Sequence, residues 1–452
     1  MELKNKNVLV VGMATSGIPT VKTLSKLGAK ITINDIKSRE QLSDILEEIG
    51  NLCSDLILGD HPDRTDNYDL IVLSPGVPTD LTFLKKAKNE NVHIIGELEL
   101  AFRLSKGKYV AITGTNGKTT TTALTGEIFK NAKKETFVVG NIGLAAISKA
   151  LDTTDDTVLV TETSSFQLET IESFRPRISA ILNITPDHLN RHKTMENYID
   201  AKANIFKNQV DDDILILNYD NDETKRLASR ANCKVVFFSR KASLDEGAYV
   251  EDNNIVFKNG NSKETICNVD DIYIAGNHNL ENALAATTFA MYSGINKDVI
   301  KYTLKNFKGI EHRTEFVEEI DGIKFYNDSK GTNPDASIKA VEGLKGPLIL
   351  IAGGMDKGSS FDEFVGAFND KVKALVLLGE TANKIKETAE GFGFKNTFIV
   401  KNMEEAVEKA YEVANEKDTI LLSPACASWD MYKSFEVRGK HFKDCVYKLR
   451  SV

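Results

Sequence analysis

The sequence predicts an α/β protein of three domains built on mainly parallel sheets. Three observations predict it. Short apolar, β-branched runs recur along the chain and leave into turns rich in Gly, Pro or Asp. Helical spacing of apolar residues follows several of those turns. The 452 residues are too many for a single core. The expected boundaries are 1–97, 98–309 and 310–452.

The first element is the run Asn7 to Val11, which enters the turn Gly12-Met13-Ala14-Thr15-Ser16-Gly17. A helix carrying Val21, Leu24 and Leu27 follows and closes at Gly28. A second strand, Ile31 to Ile33, ends at Asp35. This order resembles a dinucleotide fingerprint in which Ala14 replaces the middle glycine, and its Cβ hinders approach of a pyrophosphate. A Rossmann-like nucleotide site that need not be an NAD site is expected. A plain strand–helix turn with packing glycines is the alternative. Leu70 to Leu73 is another strand, leaving into Ser74-Pro75-Gly76-Val77-Pro78, and such strand ends face the ligand crevice of an open sheet. The stretch from Ile94 to Ser105 is expected to join two domains.

The central domain opens with Tyr109-Val110-Ala111-Ile112 and then Thr113-Gly114-Thr115-Asn116-Gly117-Lys118-Thr119-Thr120. Strand, glycine loop, Lys-Thr and helix form a phosphate cradle. Loop N–H groups and the helix N-terminus meet an anion, Lys118 reaches the β/γ-phosphates, and the Thr119 hydroxyl can ligate Mg²⁺. Ile112 stands where the strict spacing has Gly, and Gly114 relocates the flexibility. A Gly-Lys-Thr after an apolar run can also arise by chance. An ATP-using enzyme is expected.

Asn141-Ile142-Gly143 follows a short strand, and Thr157 to Thr161 delivers Glu162 at a strand mouth, where a P-loop enzyme holds its metal. Ile178 to Leu182 delivers Asp187-His188, expected near Glu162; carboxylate and imidazole together suit Mg²⁺ or Mn²⁺. A helix cap before Leu189 is the competing reading. Lys202 falls in a helical pattern, and residue type alone makes it a solvated surface group. A polar, hairpin-rich piece spans 243–274. Asn279 and Asn282 share a helical face, able to bond an adenine edge or to cap the helix.

The third domain carries Glu311-His312-Arg313, then Asn327-Asp328-Ser329-Lys330, a strand into Gly353-Gly354 and a strand into Ser423 to Asp430. Its repeated strand-to-loop pattern indicates another doubly wound sheet. Lys330, Thr332, Lys357 and Ser428 gather at strand ends, a rim suited to a small anionic substrate. Cys426 reads better as a packed thiol than as a nucleophile, given apolar neighbours and no nearby His.

Composition removes other classes. Net charge is −8 with charges interspersed, which does not suggest nucleic-acid or membrane partners. The N-terminus has no apolar signal region and no run approaches a membrane span. Five scattered cysteines without a Cys-x-x-Cys pair fit a reducing cytoplasm and argue against a zinc site. A cytoplasmic monomer is expected.

Taken in order, Gly114 to Thr120, Glu162-Thr163-Ser164-Ser165-Phe166-Gln167-Leu168, Asp187-His188, Gly276-Asn277-His278-Asn279, Glu311-His312-Arg313 and Asn327-Asp328-Ser329-Lys330 resemble the ATP-dependent Mur ligases of peptidoglycan synthesis. Ser423 to Asp430 with Phe435-Glu436-Val437-Arg438-Gly439 is similar to the branch of that family that adds D-glutamate. An Asp-Asn-Pro-Arg motif, carried by the branch that adds a dibasic amino acid, is not found. The resemblance covers nearly the whole chain. It implies a Rossmann-like N-terminal domain, a P-loop ATPase-like centre and a Rossmann-like C-terminal domain. It also implies ATP-driven amide formation through an acyl phosphate, on UDP-N-acetylmuramoyl-L-alanine and D-glutamate.

Site roles follow from the same resemblance. Gly114, Thr115, Asn116, Gly117, Lys118, Thr119 and Thr120 would bind ATP with Asn279, Asn282, Arg313 and Asp328. Thr119 and Glu162 would hold one Mg²⁺, and Glu162, His188 and Lys202 would surround a second. Lys202 is where the family carries a carbamylated lysine, the opposite of what residue type alone indicates. Asn141 and Lys330 would lie near the reacting groups. Thr332, Lys357, Ser428 and Phe435 would hold D-glutamate. Thr15, Ser16, Asp35, Lys37 and Gly76 would hold the uridine nucleotide. Two other readings compete: another Mur-type or folylpolyglutamate-type ligase, and a non-catalytic P-loop nucleotide sensor.

Overall fold

The structure, a computed structural model, describes residues 1–141, 143–274, 276–356 and 358–450. It divides into two compact units, Met1–Asp271 with Glu281–Lys305, and Ile272–Leu280 with Asn306–Val452. No helix among the described residues is long and apolar enough to cross a membrane.

The first unit holds two sheets. Strands β1 (Asn7–Val11), β2 (Lys30–Asp35), β3 (Asp55–Leu58), β4 (Leu70–Leu73) and β5 (His93–Gly96) form one, in the order β3-β2-β1-β4-β5. All its pairings are parallel. A parallel sheet is covered on both faces, so its strands read as continuous apolar runs, as Val8 to Val11 and Leu70 to Leu73 do. At the first turn, a Cβ placed on Gly17 would lie 2.1 Å from the Gly12 carbonyl oxygen, so only glycine lets helix Gly17–Lys26 start this close to β1.

The second sheet contains β6 (Lys108–Thr113), β7 (Thr136–Gly140), β8 (Val158–Glu162), β9 (Ile178–Ile181), β10 (Ile214–Asn218), β11 (Lys234–Ser239), β12 (Gly247–Glu251), β13 (Asn254–Asn259) and β14 (Ser262–Asn268). Their order is β14-β13-β12-β11-β10-β9-β6-β8-β7. The last three strands in sequence are the antiparallel pairs expected of the polar 243–274 piece. The stretch expected as a joint at 94–105 comprises the end of β5 and a regular helix, Glu97–Leu104. That helix buries Leu98, Leu100 and Ala101. Its buried Glu99 accepts the backbone N–H groups of Glu172, Ser173 and Phe174, which fixes it to the segment before β9.

The second unit has one sheet of β15 (Glu315–Ile320), β16 (Ile323–Asn327), β17 (Leu348–Ala352), β18 (Val372–Leu377), β19 (Thr397–Ile399) and β20 (Thr419–Leu422), ordered β15-β16-β20-β17-β18-β19. Only β15 is antiparallel to its neighbour. Helices Pro334–Gly343, Met403–Val413 and Phe435–Leu449 pack apolar residues such as Val341, Val407 and Phe442 against it. In all three sheets the parallel strands deliver their C-terminal ends, and the loops after them, to one edge, which is where an open α/β sheet places a ligand.

Candidate active site

In the first unit, β6 hands the chain to a loop whose Gly117 has φ +82, and helix Lys118–Asn131 begins at the next residue. A Cβ on Gly117 would come within 2.4 Å of the Asn282 amide oxygen. Asn282 is buried, and that oxygen accepts the Thr121 hydroxyl at 3.1 Å. Its side chain therefore braces the start of helix Lys118–Asn131 from its own helix, Asn277–Tyr292. Asn279 lies in the first turn of the same helix.

The loop is only partly an open cradle. Thr115 N–H bonds the Asn183 carbonyl at 2.9 Å and Asn116 N–H bonds the Asn183 side chain at 2.8 Å. The N–H groups left without a helical acceptor are those of the first helical turn, at Lys118, Thr119 and Thr120. Lys118 Nζ bonds the carbonyls of Gly114 (2.9 Å) and Thr115 (2.8 Å).

Lys202 is buried, against the reading of its residue type. Its Nζ bonds the same Gly114 carbonyl at 2.7 Å and lies 4.5 Å over the Tyr198 ring. Two lysine nitrogens thus converge on one oxygen. Burial, and then repulsion from Lys118, hold Lys202 well below the usual lysine range, opposed by Asp187.

Glu162 ends β8, and Asn141 Nδ2 donates to its Oε1 at 2.9 Å. Its Oε2 is buried and has no partner. A buried, unpaired carboxylate oxygen is costly unless a cation meets it, so the donor chemistry here fits a hard divalent ion. Asp187 and His188 follow β9, and Glu162 ends β8; the His188 ring lies 5.0 Å from that of Phe166, four residues after Glu162. In the sheet β6 is inserted between β8 and β9, so the loop after β6 leaves from between their strand ends. His188 is exposed, with φ +53, at the start of the short helix Leu189–His192, and its side chain makes no cap bond to that helix.

A cavity of about 610 Å³ in the same unit brings together Thr15, Ser16, Asp35, Lys37, Gly76 and Asn141. Asp35 accepts the N–H groups of Met13 (2.7 Å) and Lys37 (2.9 Å), so it first orders the turn. Sequence reasoning missed three residues nearby. Arg191 donates to the Val77 carbonyl at 3.1 Å and pairs with Glu169 at 2.7 Å. His192, four residues after His188, is buried and bonds Ser165 at 2.9 Å. Glu97 lines the cavity wall, and its Oε1 accepts the Ile147 N–H at 2.7 Å while Oε2 has no partner. No signal marks it, since an acid in a first helical turn is ordinarily solvated.

Burial pushes the Glu97 carboxyl up to about 7 from a reference of 4.5. The folded chain then holds a proton that the unfolded chain has lost, so stability falls as pH rises between those values, by at most about 3 kcal/mol. Glu97→Gln should remove that slope. Calorimetry should find the variant no more stable than the wild type near pH ~5 and more stable near pH ~8.

The second unit carries the remaining residues. Asp328 is buried and accepts from Thr314 N–H (3.0 Å) and the Ser423 hydroxyl (2.7 Å). Burial pushes it up to about 6, opposed by the Ser423 bond and by Arg313. Lys330 lies 5.8 Å over the Phe435 ring, and both line a pocket of about 440 Å³ with His312 and Lys440. Thr332 follows, its N–H bonded to the Lys330 carbonyl. Ser428 is buried and does not line that pocket; its carbonyl accepts from Met431 and Tyr432. Lys357 lies outside the described residues. Cys426 is buried beside Thr381, 3.2 Å away, and burial lifts its thiol to about 11, as a packed cysteine requires.

Comparison with known proteins matches three family descriptions in chain order. They are the Mur ligase MurD-like N-terminal domain over residues 6–96, the Mur ligase middle domain over 112–290, and the Mur ligase glutamate ligase domain over 312–426. A UDP-N-acetylmuramoylalanine–D-glutamate ligase of Alkaliphilus oremlandii is 57% identical over 454 residues, covering 100% of both chains. One of Clostridioides difficile is 54% identical over 453 residues, again covering 100% of both.

The chain belongs to the Mur ligase family.

Solved structures of the family share the fold at low identity. A UDP-N-acetylmuramate–alanine ligase from Thermotoga maritima has a TM-score of 0.60 at 19% identity, covering 99% of this chain and 100% of that one. A MurF ligase from the same organism, in complex with ADP, has a TM-score of 0.58 at 17% identity, covering 99% and 96%. The three-sheet α/β architecture is therefore that of a Mur ligase, and the phosphate loop lies within its middle domain.

Proposed function

We propose that this chain is an ATP-dependent ligase that joins D-glutamate to the free carboxylate of UDP-N-acetylmuramoyl-L-alanine. One observation carries the substrate assignment: relatives named for that reaction match the chain end to end at 57% and 54% identity. The segments 1–97, 98–309 and 310–452 would serve nucleotide sugar, ATP and amino acid respectively, in a cytoplasmic monomer.

A carboxylate is a poor electrophile, so the γ-phosphoryl group of ATP is transferred to it and phosphate becomes the leaving group. The amine of D-glutamate then attacks the acyl carbon, and orthophosphate departs from the tetrahedral intermediate. The protein's share is positioning and charge neutralisation.

In the first unit, the helix start at Lys118–Thr120 and the loop Gly114–Gly117 would receive the phosphates, with Asn282 bracing the helix start. Lys118 would exchange its two carbonyl bonds for phosphate oxygens. Thr119 with Glu162, and Glu162 with His188 and Lys202, would hold Mg²⁺ or Mn²⁺, and the unpartnered Glu162 Oε2 supports this. Such an ion supplies neutralisation of the phosphate charge. The depressed Lys202 amine supports carbamylation: the neutral nitrogen bonds the carbon of CO₂, loses a proton, and becomes an anionic oxygen ligand. Thr15, Ser16, Asp35, Lys37 and Gly76 would hold the uridine nucleotide in their shared cavity, with Asn141 nearest the reacting carboxylate. In the second unit, Asn279, Arg313 and Asp328 are assigned to ATP, Lys330 to the reacting groups, and Thr332, Lys357, Ser428 and Phe435 to D-glutamate.

A panel of amino acids tests the reading. ADP should be released in step with product only when UDP-N-acetylmuramoyl-L-alanine and D-glutamate are both present. ADP release without either substrate would favour a nucleotide sensor, and preference for another amino acid would favour another ligase branch.

A further inference from the structure

Arg438 stands out among the charged side chains of the second unit. It lies in helix Phe435–Leu449, one turn after Phe435, and is only 3% exposed. A buried arginine normally meets a carboxylate. Among the described residues, none bonds this one. Its partners are all neutral: Nε donates to the Ser329 hydroxyl (3.0 Å), Nη1 to the Ala427 carbonyl (3.2 Å), and Nη2 to the carbonyls of Ser329 (2.9 Å) and Cys426 (3.1 Å). Asp328 and Asp430 act on it only at a distance.

Those partners are placed with a pattern. Ser329 precedes Lys330, Ala427 precedes Ser428, and the Ser329 hydroxyl donates to the carbonyl of Phe435 at 2.8 Å. One guanidinium therefore sits behind the three loops and turns that carry Lys330, Ser428 and Phe435. A Cβ on Gly354 would come within 3.2 Å of its Nη1, so the loop after β17 also closes over it. Burial lowers its pKa to about 10, which leaves it charged at neutral pH. Low surrounding polarisability lets such a charge act over longer distances than a solvated one.

We propose that Arg438 is a specificity-determining residue of the amino-acid cleft, whose buried and unpaired positive charge selects a dianionic amino acid without touching it. The proposal rests on the D-glutamate reading above. It separates charge from hydrogen-bonding fork, and two variants do the same. Arg438→Lys keeps the charge and loses the fork. Arg438→Gln keeps donors for the loop carbonyls and loses the charge.

The test measures KM for D-glutamate, for UDP-N-acetylmuramoyl-L-alanine and for ATP, with thermal midpoints, on the full chain. The expected result is a rise of at least tenfold in KM for D-glutamate in Arg438→Gln, with the other two KM values changed less than about twofold, and a KM for D-glutamate within about threefold of wild type in Arg438→Lys. If Arg438→Gln does not fold, Arg438→Lys still decides, since a tenfold rise there contradicts a role for charge. Equal rises in both variants, or matching losses in every KM and in thermal midpoint, would overturn the proposal in favour of a structural role. Failure of the D-glutamate reading shows separately, as absent D-glutamate-dependent ADP release by the unaltered enzyme.

Discussion

Lys202→Ala is expected to lower the rate of ligation by on the order of 10²–10³-fold, the scale of removing one preorganised charge from a transition state. The starting point is electrostatic. Lys202 and Lys118 place two nitrogens on the Gly114 carbonyl, and Lys202 is almost wholly out of water. An ammonium there is repelled and desolvated, so the neutral amine is favoured. The neutral amine is the form that takes up CO₂, and the proposed carbamate would reverse the sign of charge beside the Gly114–Gly117 loop. Short carboxylic acids added to Lys202→Ala should restore part of the activity by placing a carboxylate in the space left. Full activity without them would remove Lys202 from the site.

The same residue gives a stability control. Its pKa is lower in the folded chain, so folding releases a proton below the unfolded value, and stability rises with pH toward that value. Lys202→Met, close in volume and uncharged, is therefore expected to raise the thermal midpoint at neutral pH while losing activity. A fall in both would mean that the loss of activity reflects misfolding.

Glu162→Gln is the second substitution with a large expected effect. The amide can still accept the Asn141 bond to Oε1, so the strand end keeps its shape. What it loses is the negative charge at the unpartnered oxygen. Half-maximal activity should then require at least about tenfold more Mg²⁺, and kcat should fall by on the order of 10²-fold. Folding should be unharmed, because a buried unpaired carboxylate contributes nothing favourable in the absence of a cation. Unchanged Mg²⁺ dependence would place the metal elsewhere.

Much of this architecture was legible from local pattern. Parallel strands buried on both faces read as apolar runs, and β1, β4, β6 and β20 stand where Val8 to Val11, Leu70 to Leu73, Tyr109 to Thr113 and Ile420 to Leu422 announce them. Gly17 and Gly117 were legible because a side chain cannot be accommodated there. What was hidden depends on strand order. Glu162 and Asp187 both leave strand ends, but nothing local says that β6 is inserted between their strands. Lys202 read as a surface lysine because burial is a property of the neighbours, in this case Tyr198 and the loop carbonyl of Gly114. Glu97 and His192 were hidden for the same reason, each being a charged or polar residue on a helix whose partners lie more than twenty residues away.

The path of the carboxyl oxygen tests the acyl phosphate most directly. UDP-N-acetylmuramoyl-L-alanine labelled with ¹⁸O in its free carboxylate should deliver one labelled oxygen to each orthophosphate released with D-glutamate, because the C–O bond breaks when the amine displaces phosphate. Orthophosphate free of label, formed in step with the amide, would contradict it.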